Sequence, residues 1–311
     1  MLELEKKFGN TDWAKDDPSK IEKLARRISL LEKKEKDLIK QLTSRFCYID
    51  YVQALQSLMA ALNTFLEKNK GCEYIIVAPL KSPFIKREEK DATGRVMAQK
   101  AKSSDLWYAI LRSFFIRERY DSRLYFDFCD KPVDIKISIN SILKKILGSR
   151  KTQESPKENL SNTCKIVLID DFVGSGNTAV EIITDYLSYL QGEGINASSN
   201  QFCVVVIVAM QDGLDYIKSH VKVNSYCSFL KQKEITKRPN ADENKKLMES
   251  IEKKVLPELN QDYSFGYKKS EALVSIMERA PNNTFPFYWY ETKDKKLKPI
   301  FRRDINRRNV K

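Results

Sequence analysis

The stretch Lys165-Ile166-Val167-Leu168-Ile169-Asp170-Asp171-Phe172-Val173-Gly174-Ser175-Gly176-Asn177-Thr178-Ala179 decides how the chain is read. Its apolar run is a buried-strand signature, and the strand delivers two adjacent carboxylates to its C-terminal edge, where open α/β sheets place their ligands. A small-residue loop then opens a helix. Free backbone N–H groups and the positive end of the helix dipole therefore point at one spot, with the Ser175 and Thr178 hydroxyls beside them. Acids next to an anion cradle are reconciled by a sugar phosphate, whose hydroxyls donate to the carboxylates while the loop holds the phosphate. A Walker A loop is excluded because no lysine follows the glycines. A dinucleotide fingerprint is excluded because the acids precede the glycines instead of following them by about twenty residues.

Outward from this segment the second half of the chain alternates cleanly. Residues 164–169 read as a strand, 178–190 as a helix, 202–210 as a second apolar strand, 213–220 as a short helix and 221–229 as a third strand. Uninterrupted apolar strands separated by helices predict an α/β fold with a parallel sheet covered on both faces. Before the motif, 74–80 is a β-branched strand stopped by proline, 106–116 is helical, 123–129 and 133–139 look like strands and 142–147 is a short helix. The basic stretch 81–105 is either a functional loop or a solvated one, and 149–163 reads as a surface linker. At the N-terminus, Ile21, Leu24, Ile28, Leu31, Leu38 and Leu42 predict one long helix over 18–42, with Glu35 breaking the pattern; a second helix is predicted over 49–67. Three regions follow: a helical 1–70, an α/β domain over 71–292 with a helical insertion near 231–260, and a basic tail over 293–311.

Composition narrows the function classes. The chain has 311 residues, about twice a typical domain, and 42% of them are apolar, enough for a substantial core. No run of 18 apolar residues is present and the first residues alternate charges, so a cytosolic protein with no membrane partner is expected. The six cysteines (47, 72, 129, 164, 203, 227) form no CxxC pair and His220 is the only histidine, which excludes zinc ribbons, zinc fingers and multi-histidine metal sites.

The segment 166–178 resembles the PRPP-binding signature of type I phosphoribosyltransferases: apolar residues, two acids, two apolar residues and a small-residue loop ending in Ser/Thr. Phe172 is bulkier than usual there, and Gly174 stands where Ser, Thr, Ala or Val is commoner. The resemblance implies a parallel-sheet type I phosphoribosyltransferase-like core with an N-terminal helical extension. It implies that Asp170 and Asp171 contact the ribose hydroxyls of PRPP, and that Val173, Gly174, Ser175, Gly176, Asn177 and Thr178 hold its 5′-phosphate. It further implies a pyrophosphate loop, for which Lys81 and Ser82 are the candidates, and Mg²⁺ held mostly by substrate oxygens. A narrower resemblance covers 266–274 and 281–289, which are similar to the phosphoribosyltransferase-like proteins of bacterial conflict and antiphage systems, some of them retron-associated. In that segment Asn282 and Asn283 offer paired donors and acceptors suited to a nucleobase edge, and Trp289 a ring for stacking. The alternative is a Pro-Asn turn followed by a strand that packs its aromatics.

The net charge of +13 is concentrated in 293–311, where nine basic and two acidic residues give +7. Arg302, Arg303, Arg307 and Arg308 alternate there with apolar residues, which suits a phosphate backbone or an acidic partner. Three functions are consistent with the sequence. One is a PRPP-dependent glycosyltransferase, a phosphoribosyltransferase acting in prokaryotic defence on a nucleobase, nucleotide or nucleic acid. Another is a non-catalytic nucleotide-sensing or nucleic-acid-binding module in a nucleoprotein complex, with reverse transcriptase and its DNA as partners if retron-associated. The last is a scaffold that forms a homo-oligomer through its N-terminal helices.

Overall fold

Strand formation follows β-branched runs at 74–79, 164–173 and 202–210, and aromatic-containing stretches at 125–128 and 224–231. In the computed structural model, which describes residues 1–83, 103–118, 125–129, 131–149 and 164–303, the strands are β1 (Cys47–Ile49), β2 (Tyr74–Pro79), β3 (Tyr125–Phe128), β4 (Cys164–Val173), β5 (Phe202–Met210), β6 (Asn224–Lys231) and β7 (Val274–Ile276). The helices are α1 (Leu2–Phe8), α2 (Asp12–Asp16), α3 (Ser19–Ser29), α4 (Lys33–Ser44), α5 (Tyr51–Lys68), α6 (Ser103–Glu118), α7 (Pro132–Ser149), α8 (Asn177–Gly192), α9 (Gln211–Val221), α10 (Ala241–Val255) and α11 (Pro286–Trp289). The chain divides into two compact units. One is Ser57–Leu230; the other joins both ends, Met1–Gln56 with Lys231–Lys311. The composition shifts in the sequence instead suggest boundaries near 70 and 292.

The first unit is a five-stranded sheet of order β3-β2-β4-β5-β6, in which β2, β3, β4 and β5 run parallel. Both faces of its central strands are buried: Ile166 and Leu168 on one side, Val167 and Ile169 on the other, are all 0% exposed. Full burial of both faces is why these strands are continuously apolar and do not alternate. Ile76, Ala78, Ile166, Leu168, Val204 and Val206 pack against the apolar stripes of α7 and α8. The chain runs from β2 to β3 on one side and returns to β4 on the other, so the order reverses between β2 and β4. Ligands bind at such reversals, beyond the carboxyl ends of the strands.

The second unit packs the N-terminal helices around the C-terminal segment. Its core includes Leu24, Ile28, Ile39, Leu42, Met248, Ile251, Phe285, Phe287, Trp289, Ile300 and Phe301, and β1 pairs in parallel with β7, Cys47 opposite Val274.

Two expectations are corrected. The predicted strand 133–139 lies inside α7, where Ile135, Ile139 and Ile142 are buried at helical spacing while Val133 and Ile137 are 46% and 60% exposed. Alternating apolar residues carry the period of a strand, but only every second one, four residues apart along the chain, is covered. The predicted single helix over 18–42 is two helices. The break falls before Glu32, whose backbone N–H donates to the Glu35 carboxylate at 2.9 Å. The residue that interrupts the apolar pattern is thus the acid that starts a new helix, as in a capping box. Glu35 is 3% exposed and also accepts from Ser250 Oγ (2.7 Å) and Lys254 Nζ (2.8 Å) on α10. The basic stretch 84–102 and the linker 150–163 lie outside the described residues.

Candidate functional site

β4 runs on through both acids to Val173, four residues beyond the expected strand end. Parallel pairing opposite β5, with Asp170 beside Val206 and Val173 beside Ala209, holds this extension rigid. Asp170 and Asp171 are half-buried at the carboxyl end of the sheet. Burial, then the neighbouring charge of Asp171, pushes Asp170 well above the usual carboxylate range; burial raises Asp171 as well, against hydrogen bonds that favour its ionised form. Asp170 Oδ1 accepts from Ser103 Oγ at 2.7 Å and from the Asp171 amide at 2.9 Å.

The chain then turns through Gly174, Ser175 and Gly176 into α8. Gly176 has φ +81°, a conformation that disfavours any residue with a side chain. A β-carbon there would lie 2.4 Å from the carbonyl oxygen of Gly213, and one on Gly213 would lie 2.1 Å from the carbonyl oxygen of Gly174. The loop therefore sits directly on the first turn of α9, backbone against backbone. The first amides of α8 have no earlier helical carbonyl to bond, which leaves them available to an anion. Ser175 and Asn177 are half-buried beside them, and Thr178 is exposed.

From the neighbouring strand, β2 ends in a tight turn that needs no glycine, because the Lys81 amide donates to the Pro79 carbonyl two residues back (2.8 Å). The Leu80 amide continues the ladder to Ile169 (2.8 Å). Lys81 Nζ meets Asp105 Oδ1 at 2.7 Å, and Ser82 Oγ donates to Asp185 on α8 at 2.7 Å. One sheet edge thus gathers Lys81, Ser82, Asp170, Asp171 and the loop of residues 174–178. An acidic pair, a cation and an anion-binding turn together suit a ligand with sugar hydroxyls and more than one phosphate.

The sequence reading missed three residues here. Ser103 and Asp105 had only a capping-type pattern before the apolar run of α6 as a signal, and Gly213 only the oddity of glycine at the start of a helix.

The other candidates belong to the second unit. Trp289 is 3% exposed, donates Nε1–H to the Thr284 carbonyl (2.6 Å), and is covered by the Arg303 guanidinium, 4.4 Å from the ring centroid. Asn283 is 7% exposed; its carbonyl accepts from Ser270 Oγ (2.9 Å) and the Ala272 amide (3.1 Å), while its side chain donates to the Tyr267 carbonyl (3.3 Å). The Asn282 carbonyl takes the Tyr267 amide (2.8 Å). Asn283 and Trp289, the residues expected to meet a base, are buried and bonded within the turn and core of their own unit. Of the tail, Ile300 and Phe301 fold into that core, Arg303 is half-buried over Trp289 and Arg302 is exposed. Arg307 and Arg308 lie outside the described residues. Among the described residues no helix is long and apolar enough to cross a membrane.

No curated protein matches the chain. The PRTase-CE family model matches residues 31–303, a span that takes in the acidic pair, the glycine turn, the parallel sheet around them and most of the second unit. The chain belongs to the PRTase-CE family and is a phosphoribosyltransferase-like protein.

Proposed function

We propose that the chain binds PRPP, or another ribose 5-phosphate ligand, across the carboxyl ends of β2 and β4 and transfers its phosphoribosyl group to a nucleobase, nucleotide or nucleic acid. The carrying observation is the continuity of the half-buried Asp170-Asp171 pair with the glycine turn that opens α8. The two carboxyls accept hydrogen bonds from the ribose hydroxyls. Residues 174–178 hold the 5′-phosphate through backbone amides and the Ser175 and Thr178 hydroxyls. The C1′–oxygen bond to pyrophosphate breaks with its electron pair leaving on the pyrophosphate, and a lone pair of the acceptor forms the new bond at C1′ as the acceptor loses a proton. Lys81 offsets charge on the departing group.

Among the described residues no group of three or more metal-ligating side chains comes together. Mg²⁺, when bound with PRPP, would be held mostly by substrate oxygens and would supply charge neutralisation on the pyrophosphate.

Pyrophosphate release from PRPP, assayed over a panel of bases, nucleotides and nucleic acids, tests the reaction. Asp170→Asn with Asp171→Asn should abolish release while the fold survives; turnover retained by that double variant sinks the assignment. The second reading, a nucleotide-sensing module without turnover, is favoured by the partners that Lys81 and Asp170 already have within the chain. Saturable ribose 5-phosphate binding with no release over the whole panel would select it.

The C-terminal resemblance supports placing this activity in antiphage defence, with a nucleoprotein partner for the exposed Arg302. Phage plaque counts with the wild type and with the double variant test that role.

A further inference from the structure

The first turn of α6 meets the candidate site twice. Ser103, its first residue, donates to Asp170 Oδ1 at 2.7 Å, and Asp105, two residues on, accepts from Lys81 Nζ at 2.7 Å. Asp170 extends β4 and Lys81 follows β2, the two strands between which the sheet order reverses. One helical turn therefore puts a hydroxyl on the site's carboxylate and a carboxylate on its cation. Those are the contacts that a ribose hydroxyl and a pyrophosphate oxygen would make in the reading above.

Resting on that reading, we propose that the first turn of α6 is a built-in substitute ligand: Ser103 occupies the ribose-hydroxyl position and Asp105 the pyrophosphate position, so that a phosphoribosyl ligand enters by exchanging both contacts.

The exchange is chemically reasonable on three counts. The Lys81–Asp105 pair is 31% exposed at each side chain, and partly exposed ion pairs are weak enough for a more highly charged anion to displace. The body of α6 is anchored apart from its first turn, with Trp107 and Leu111 1% and 0% exposed and Tyr108 edge-on to Phe128 at 5.8 Å. Release of the two contacts thus needs rotamer changes or fraying of one turn, and not undocking of the helix. Finally, Ser103 gives Asp170 Oδ1 a side-chain donor beside the Asp171 amide, the kind of donor that a ribose hydroxyl would supply.

The two contacts are separable, and that makes the idea testable on the full chain. Isothermal titration would be run with ribose 5-phosphate and, separately, with inorganic pyrophosphate and Mg²⁺, and thermal melts would check each variant's fold. Asp105→Asn should tighten pyrophosphate binding about 3- to 10-fold and leave ribose 5-phosphate within about 2-fold, the scale of one weak ion pair. Ser103→Ala should do the converse. As a measurement that needs no variant, the amides of residues 104–108 should exchange hydrogen faster in the wild type when both probes are added.

If the probes bind but neither variant binds its own probe more tightly, and exchange at residues 104–108 is unchanged or slower, the substitution idea is overturned and the ligand reading stands. If neither probe binds the wild type or any variant, both are overturned.

Discussion

Gly176 and Gly213 meet backbone to backbone: a β-carbon on Gly176 would lie 2.4 Å from the carbonyl oxygen of Gly213. The glycine turn that opens α8 is thereby shaped by a residue that contributes no chemistry of its own. In a helix interior, replacing glycine by alanine ordinarily stabilises by about 1 kcal/mol. At Gly213 the contact that a β-carbon would make, 2.1 Å from the Gly174 carbonyl oxygen, is with backbone and cannot be relieved by a rotamer change. Gly213→Ala should therefore lower stability by roughly 1–3 kcal/mol in spite of its helix propensity, and weaken ribose 5-phosphate binding. Urea unfolding and titration check the pair of effects; a stabilised variant with unchanged affinity would show that the turn does not depend on this contact.

Asp170→Asn should make the protein more stable at neutral pH while removing activity. Because the folded pKa of Asp170 is raised, the stability this carboxyl contributes is present below the unfolded value of about 4 and is lost as pH rises through the folded value. The melting temperature of the variant should exceed that of the wild type by a few degrees at pH 7, with about 2–4 °C for each kcal/mol. The gap should narrow as pH falls toward 4. A gap that widens on acidification would reverse the sign of the argument.

Glu35 has the opposite sign. Burial works to raise its pKa, but hydrogen bonds from Lys254, the Glu32 amide and Ser250 outweigh it and hold the carboxyl below its usual range. Its contribution is thus present above the unfolded value near 4.3 and is lost as pH falls through the folded one. Glu35→Ala should cost about 1–3 kcal/mol at pH 7, since it uncaps α4 and leaves Ser250 without its acceptor. Denaturation curves at pH 7 and at pH 3 would show the cost shrinking at the lower pH.

Arg27 is 0% exposed and donates to the backbone carbonyls of Tyr290, Leu297 (3.2 Å) and Lys298 (3.0 Å), and burial pulls its pKa down to about 10. Arg27→Ala would take the side-chain donor from the Tyr290 and Lys298 carbonyls and leave the Leu297 carbonyl with the Thr292 amide alone, a loss on the order of 1–3 kcal/mol. Arg27→Lys keeps a charge but not the planar fork, and should recover only part of that loss. Thermal melts rank the three proteins.

Trp289→Phe separates packing from base recognition. Without the indole N–H the Thr284 carbonyl loses its donor, so stability should drop by about 1–2 kcal/mol. Pyrophosphate release from PRPP with any base should keep its KM. A raised KM at unchanged stability would return the indole to ligand binding.

The legible parts of this molecule were those determined over a few consecutive residues. The run 166–169, the acids after it and the glycine turn each follow from local chemistry, and β5 begins and ends where its apolar run does. The helix α10 lies within the helical insertion expected near 231–260. The strand expected at 133–139 failed because Val133, Ile135, Ile137 and Ile139 fit a period of two, while burial follows Ile135 and Ile139 alone. Ser103, Asp105 and Gly213 were invisible for a different reason. Their roles exist only once distant segments meet, and nothing near them in the sequence marks the partner. The sequence does not show that Trp289 lies under Arg303, because an aromatic suited to stacking on a base is equally suited to stacking on a guanidinium.

The pairing of β1 with β7 sets an order on events during synthesis. Cys47 leaves the ribosome long before Val274 exists to pair with it, and Phe301, which stacks on Phe46 at 4.2 Å, comes later still. The sheet unit of Ser57–Leu230 is complete in between. The apolar faces of α3 and α4 must therefore wait, exposed, through the making of an entire α/β sheet, and this interval is where nascent chains are open to chaperone capture or misassociation. Removing residues from 290 onward would prolong that exposure indefinitely, so such a chain should accumulate as aggregate even though every residue of the sheet unit is present.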